Sequence, residues 1–173
     1  ALANIALRDP TYEDLACEII DAILENTLRI EKEKGHTYFL LGYAQRRPWV
    51  MSPARSQFID GEIAIMMAAR RLIREDLRYQ RPLQELSRIM IERMEKSPVL
   101  SAESYPDQCW LFCNTVSLAA IRMMDALDGS DHSAFLAKWV STAKGKLINR
   151  PTGMLISSYG VDGAPDPSGE CPE

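Results

Sequence analysis

The chain has 173 residues, 46% of them apolar and 25% charged, with a net charge of −4. That length can bury a core of its own, the composition is that of a globular protein, and a negative chain without a Lys/Arg cluster excludes a nucleic-acid surface. No apolar run approaches the ~20 residues of a membrane span, and four unevenly spaced cysteines (Cys17, Cys109, Cys113, Cys171) make no disulfide framework, which points to a reducing, cytoplasmic compartment.

In chain order, "DPTYEDLACEIIDAILENTLRIEKEKG" predicts a helix with start signals at Asp9, Pro10 and Thr11 and a stop at Gly35. Leu15, Ile19, Ile23 and Ile30 recur at helical spacing and mark its apolar face. An irregular stretch with Pro48 and Pro53 follows, then "QFIDGEIAIMMAARRLIRED", apolar nearly all round and so enclosed on most sides. "PLQELSRIMIERMEK" is amphipathic, with Pro82 at its first turn. "SAESYPDQCWLFCNT" opens a second enclosed helix, and "HSAFLAKWVSTAKGKLI" is amphipathic again. The end holds a short strand, "MLISSY", and a Pro/Gly-rich loop.

Enclosed and amphipathic helices therefore alternate. Connections out of enclosed helices are short, and those into them are long (35–55, 97–106 and from 149 on). Consecutive antiparallel helices put alternate loops at opposite ends, so all the long loops fall on one face. "MMAARRLIREDLRYQRPLQEL" and "AAIRMMDALDGSDHSAFLAKW" are alike in pattern, and "ALANIALRDPTYEDLACEI" matches both. By that match residues 1–8 are the tail of an enclosed helix. Residues 1–173 then form a single partial domain of a longer chain: all-α, part of an α/α toroid of helical hairpins, with a short strand or hairpin near the C-terminus. An open solenoid or a plain bundle are the alternatives.

"FIDGEIAIMMAARRLI", the Tyr-Pro-Asp-Gln-Cys-Trp run with the helix after it, and "KLINRPTGMLISSYGVDGAP" resemble a group of bacterial (α/α)6-toroid proteins with linalool dehydratase/isomerase-like domains. The likeness covers roughly residues 35–173. It implies a pocket at the loop face where acid/base and cysteine side chains act on a small, largely apolar alcohol. The family's site has a Tyr, an Asp, a His and cysteines. Tyr105, Asp107, Cys109 and Cys113 are the matching residue types, and no His lies near them in sequence. It also implies that the final loop continues into a Gly-Ser-Ser segment and another inner helix.

Several side chains carry two readings each. Asp107 is the expected N-cap of a helix starting near Gln108, or an acid/base group facing a cavity. Cys109 and Cys113, at i and i+4, share a helix face, either as small buried hydrophobes or as thiols activated by the helix N-terminus. Asp60, near the start of the other enclosed helix, needs a partner from Arg46, Arg47 or Arg55, or acts as a catalytic acid; Glu62 two residues on cannot share its face. Tyr38, Tyr43, Trp49, Trp110 and Tyr159 pack the loops or line a cavity, and Asn114 lies in the same region as a ligand contact. The methionines of the helices are core filler, and His36 after Gly35 is a surface residue. With only His36 and His132, no metal site and no cofactor is expected.

The reading is an enzyme domain. Its catalytic residues are Asp60, Asp107, Cys113 and Tyr105, and its substrate contacts are Tyr43, Trp49, Cys109, Trp110, Asn114 and Tyr159. The expected partner is a small-molecule ligand, with the rest of the toroid or a second copy beside it. A carbohydrate-active toroid and a non-catalytic helical-repeat binding module stay open as alternatives.

Overall fold

The computed structural model describes residues 1–40, 42 and 47–166. These form six α-helices: α1 (Leu2–Arg8), α2 (Glu13–Lys34), α3 (Gln57–Ile73), α4 (Gln80–Met94), α5 (Leu111–Asp128) and α6 (Ser133–Lys146). Two short strands, β1 (Cys109–Trp110) and β2 (Ser158–Tyr159), pair antiparallel, with Cys109 opposite Tyr159. The fold is all-α with a small strand pair. Among the described residues no helix is long and apolar enough to cross a membrane.

Local chemistry sets the helix ends. Asp9 accepts from the Thr11 amide and starts a 3-10 turn at Pro10–Tyr12, so α2 begins later than the start signals suggest, at Glu13. Gly35, at φ +88°, ends α2 in a backbone that favours glycine, and Gly129, at φ +68°, ends α5 in the left-handed conformation common after a helix. Ser56 caps α3 by accepting from the Ile59 amide at 3.3 Å.

The two enclosed helices, α3 and α5, form the most extensive helix pair. α1 packs on α3 and α2, and α4 packs on both α3 and α5. Residues 1–8 are thus a helix seated beside α3 rather than a free tail. One core joins α2 to α5 through Ile20, Leu24, Ile63, Met67, Leu83 and Ile121. A second, around Met94, Leu111, Trp139, Leu147 and Tyr159, holds α6 and β2 to the rest. Met67, Met90, Met94 and Met124 are buried in these cores, as filler residues should be.

α2 does not bury the expected stripe. Ala16, Cys17, Ile20 and Leu24 face inward, while Leu15 and Ile23 are exposed. The helix carries two adjacent apolar stripes, and the one with the smaller residues lets it approach α3 and α1 closely.

Candidate functional site

The long loops meet at one end of the helices, and backbone hydrogen bonds tie them together. The Gln57 amide at the start of α3 donates to Glu103 O at 2.7 Å, and the Leu111 amide at the start of α5 donates to Ser157 O at 2.9 Å. The two helices touch here through Gly61. A Cβ on that residue would lie 2.7 Å from Ser117 Oγ and 3.5 Å from Cys113 O, so only glycine allows this approach.

Asp60 is fully buried, and Arg55 is its partner: the guanidinium fork donates from Nε to Oδ2 at 2.9 Å and from Nη2 to Oδ1 at 2.5 Å. Nη2 also reaches Glu31 at 3.2 Å. The Asp60 hydrogen bonds and the charges of Asp60 and Glu31 hold the Arg55 guanidinium above its ordinary pKa, against the opposing effect of burial. His36 is no surface residue. Its Nδ1 lies 2.7 Å from Glu31, and its Nε2 accepts from the Ser56 amide at 2.9 Å. An amide can only donate, so Nε2 carries a lone pair and Nδ1 carries the proton given to Glu31. That bond is the main reason the Glu31 carboxyl is held below the usual range.

Glu31, His36 and Asp60 offer three ligand atoms within 4.8 Å of one another. The donor chemistry nevertheless opposes a metal. A cation on Nδ1 would need both imidazole lone pairs at once, and Arg55 already stands between the two carboxylates. The group reads as an ion-pair cluster that fixes the start of α3.

The loop before α5 is organised by Glu103, which is fully buried. Its carboxylate accepts from the amides of Val50 at 2.9 Å, Met51 at 2.7 Å and Asp107 at 2.7 Å. Behind it Arg93, also buried, donates to Gln57 Oε1 at 3.2 Å, to the Arg55 carbonyl and to the Glu103 carbonyl. Burial holds that guanidinium below its ordinary pKa.

Asp107 is not an N-cap. Residues 105–108 form a tight turn closed by the Gln108 amide on Tyr105 O at 2.9 Å, with Asp107 at φ +60°. Pro at the second position and a left-handed residue at the third are the signature of a type II turn, which Asp tolerates better than most residues. The Asp107 side chain is 42% exposed and lies 3.4 Å from Arg47 Nη1. The turn delays α5 to Leu111, so Cys109 sits on β1 and cannot share a helix face with Cys113.

Both cysteines are buried, and burial pushes the Cys109 thiol well above its ordinary range. Asn114 is a buried clamp: it accepts from the Ala102 amide and donates to the carbonyls of Ala102 and Trp110. Tyr159 is buried against Ser101 Oγ at 2.9 Å, with its hydroxyl pKa raised by burial. Tyr105 stands between Phe58 and Trp110, with ring centroids 6.2 Å and 6.0 Å away. Trp49 is half-buried against the main core. Tyr43 and Arg46 lie outside the described residues.

Tyr105, Asp107 and Trp110 therefore come together on one turn and the strand after it, against Phe58 of α3. Asp60, Cys109, Cys113, Asn114 and Tyr159 lie beneath, buried. A cavity of about 390 Å³ opens where the long loops meet, lined by residues 50–52, 96–98 and 161–162. None of the expected site residues lines it. Sequence reasoning missed Glu103, Arg93, Glu31 and His36. The available signal for Glu103 was slight: a lone acid inside the run of small residues Ser101, Ala102 and Ser104.

A family model described as linalool dehydratase/isomerase matches residues 60–163, more than half of the chain.

Proposed function

The chain belongs to the linalool dehydratase/isomerase family, and from that premise we propose that it is an acid/base lyase or isomerase domain of the α/α-toroid type, acting on a small, apolar, isoprenoid-like alcohol. The observation that carries the reading is the juxtaposition of an accessible carboxylate, Asp107, with the ring group Phe58–Tyr105–Trp110. Removing water from an alcohol requires an acid to protonate the leaving hydroxyl and a base to take a proton from the neighbouring carbon, while an apolar surface holds the hydrocarbon body. In the isomerisation the hydroxyl returns at another carbon of the same allylic system. Asp107 is the proton-transfer group. Tyr105 orients the alcohol, Trp110 and Phe58 contact its chain, and Cys113 is a second acid/base group once the loop above it moves.

Asp60 takes a supporting part in this scheme. Its two oxygens are bound to Arg55, which also leaves a carbohydrate-type reaction without its second free carboxylate. That same mutual satisfaction of buried polar groups is what the binding-module reading expects, so the test separates the two.

The chain is incubated with linalool and related allylic alcohols, and the alkene and isomeric alcohol are followed by gas chromatography. Asp107→Asn should lower kcat about 100-fold or more, the usual scale of a lost acid/base group. Its thermal midpoint should stay unchanged, because the side chain is half-exposed. Full activity in Asp107→Asn would overturn the assignment. Saturable binding of the alcohols with no turnover would favour the binding module.

A further inference from the structure

The Glu103 carboxylate is surrounded as a bound anion would be. Three backbone amides from two separate loops, those of Val50, Met51 and Asp107, converge on its two oxygens at 2.7–2.9 Å. Val50 and Met51 are consecutive, and successive amides aimed at one point form an anion-binding concavity. Oε1 is shared between Val50 and Asp107, so a single oxygen sets the spacing between the 49–51 loop and the 105–108 turn. Among the described residues no cation forms a salt bridge with this carboxylate; the Arg93 guanidinium bonds the Glu103 carbonyl instead. Among the described residues the carboxylate is therefore held by backbone amides, and its removal exposes three aligned donors.

We propose that these amides form a carboxylate-binding site whose resident occupant is Glu103, and that Glu103 is the positioning residue of the Asp107 turn. Asp107 holds a left-handed backbone that no glycine relieves. Its own amide, fixed to Glu103, is what keeps the turn, and the acid it displays, in register with Tyr105 and the opposite loop. The part concerning catalysis rests on the reading of Asp107 given above; the anion site itself does not.

The chemistry predicts a rescue. In Glu103→Gly the space and the donors remain, and a small carboxylate such as formate fits where the side chain ended. In Glu103→Gln one acceptor oxygen becomes an NH2, a donor set against backbone N–H donors, so the geometry is lost without loss of volume.

The experiment compares the unaltered chain with both variants by amide nuclear magnetic resonance and by alcohol turnover. The Val50, Met51 and Asp107 amides should resonate downfield in the unaltered chain and shift upfield in Glu103→Gly. Tens of millimolar formate should restore them saturably, and chloride at equal ionic strength should not. Turnover in Glu103→Gln should fall at least 10-fold in kcat with KM within twofold, and formate should recover turnover in Glu103→Gly. Unmoved amides in either variant, or no response of a folded Glu103→Gly to formate, overturn the anion site. Should Glu103→Gly fail to fold, the Glu103→Gln amide shifts decide it. Shifted amides with unchanged kcat overturn the positioning role. If the unaltered chain turns over no alcohol, the function reading fails and the amide response still decides the anion site.

Discussion

Gly61→Ala is the sharpest probe of the packing beneath the loop face. Alanine is the better helix former by about 0.5–1 kcal/mol, so at an exposed site the change would stabilise. Here the added Cβ would lie 2.7 Å from Ser117 Oγ, closer than real Cβ contacts come. Ser117 can relieve the clash only by rotating away from Cys113 O, its 3.0 Å acceptor, or by pushing α5 off α3. Overpacking of this size costs about 1–3 kcal/mol. The net expectation is a loss of about 1–2 kcal/mol, or a midpoint drop of several degrees for a chain of this size. Urea and thermal unfolding of Gly61→Ala, Ser117→Ala and the double variant measure it. Removing the hydroxyl should restore most of the loss, giving a coupling of about 1 kcal/mol. A Gly61→Ala chain as stable as the parent, or additive effects in the cycle, would refute the close approach.

Three further outcomes follow from the same geometry. Asp60→Asn removes the buried end of the Arg55 fork while Glu31 remains, and should cost about 2–4 kcal/mol in urea unfolding, because breaking a buried pair strands its partner. The Glu31 and Asp128 carboxyls are held below the usual range, chiefly by their bonds to His36 and Arg71, so the unfolded chain takes up their protons first. Stability from these groups should be complete near neutrality and decline as pH falls below about 4, a trend visible in urea midpoints measured from pH 7 downward. Cys109, buried with its thiol pushed up, should resist alkylation at pH 8 until the chain unfolds, as peptide mass mapping would report; prompt labelling would contradict its burial.

Helical periodicity made α3 to α6 legible in advance, because each carries a dominant apolar pattern over several turns. It also foretold that α3 and α5 would be the enclosed pair, and Arg55 was among the partners anticipated for Asp60. The misreadings fall where distant segments decide. A Pro-Asp turn and a two-residue strand, paired with residues nearly fifty positions later, postponed α5 past Cys109. Asp107 looked like a cap because a short acid before an apolar run usually is one. Glu103 was invisible for a different reason: its partners are backbone amides, which every residue possesses, so no pattern of side chains announces them. His36 was misread likewise, since its acceptor role depends on Ser56, twenty residues on.

Arg93 has a bearing on which length changes the chain can absorb. Its guanidinium reaches from the end of α4 to the Arg55 and Glu103 carbonyls and to Gln57, all at the loop face. One residue inserted earlier in α4 would swing this side chain by about 100° around the helix axis and leave those acceptors bare. The 74–79 connection at the other end is tied as well: Arg70 donates to the Arg74 carbonyl at 2.7 Å and lies 3.4 Å from Asp76, Arg71 holds Glu75 at 2.8 Å, and the buried Tyr79 donates to Asp21 at 2.9 Å. Relatives of this chain should therefore hold α4 to a constant count from Leu83 to Arg93.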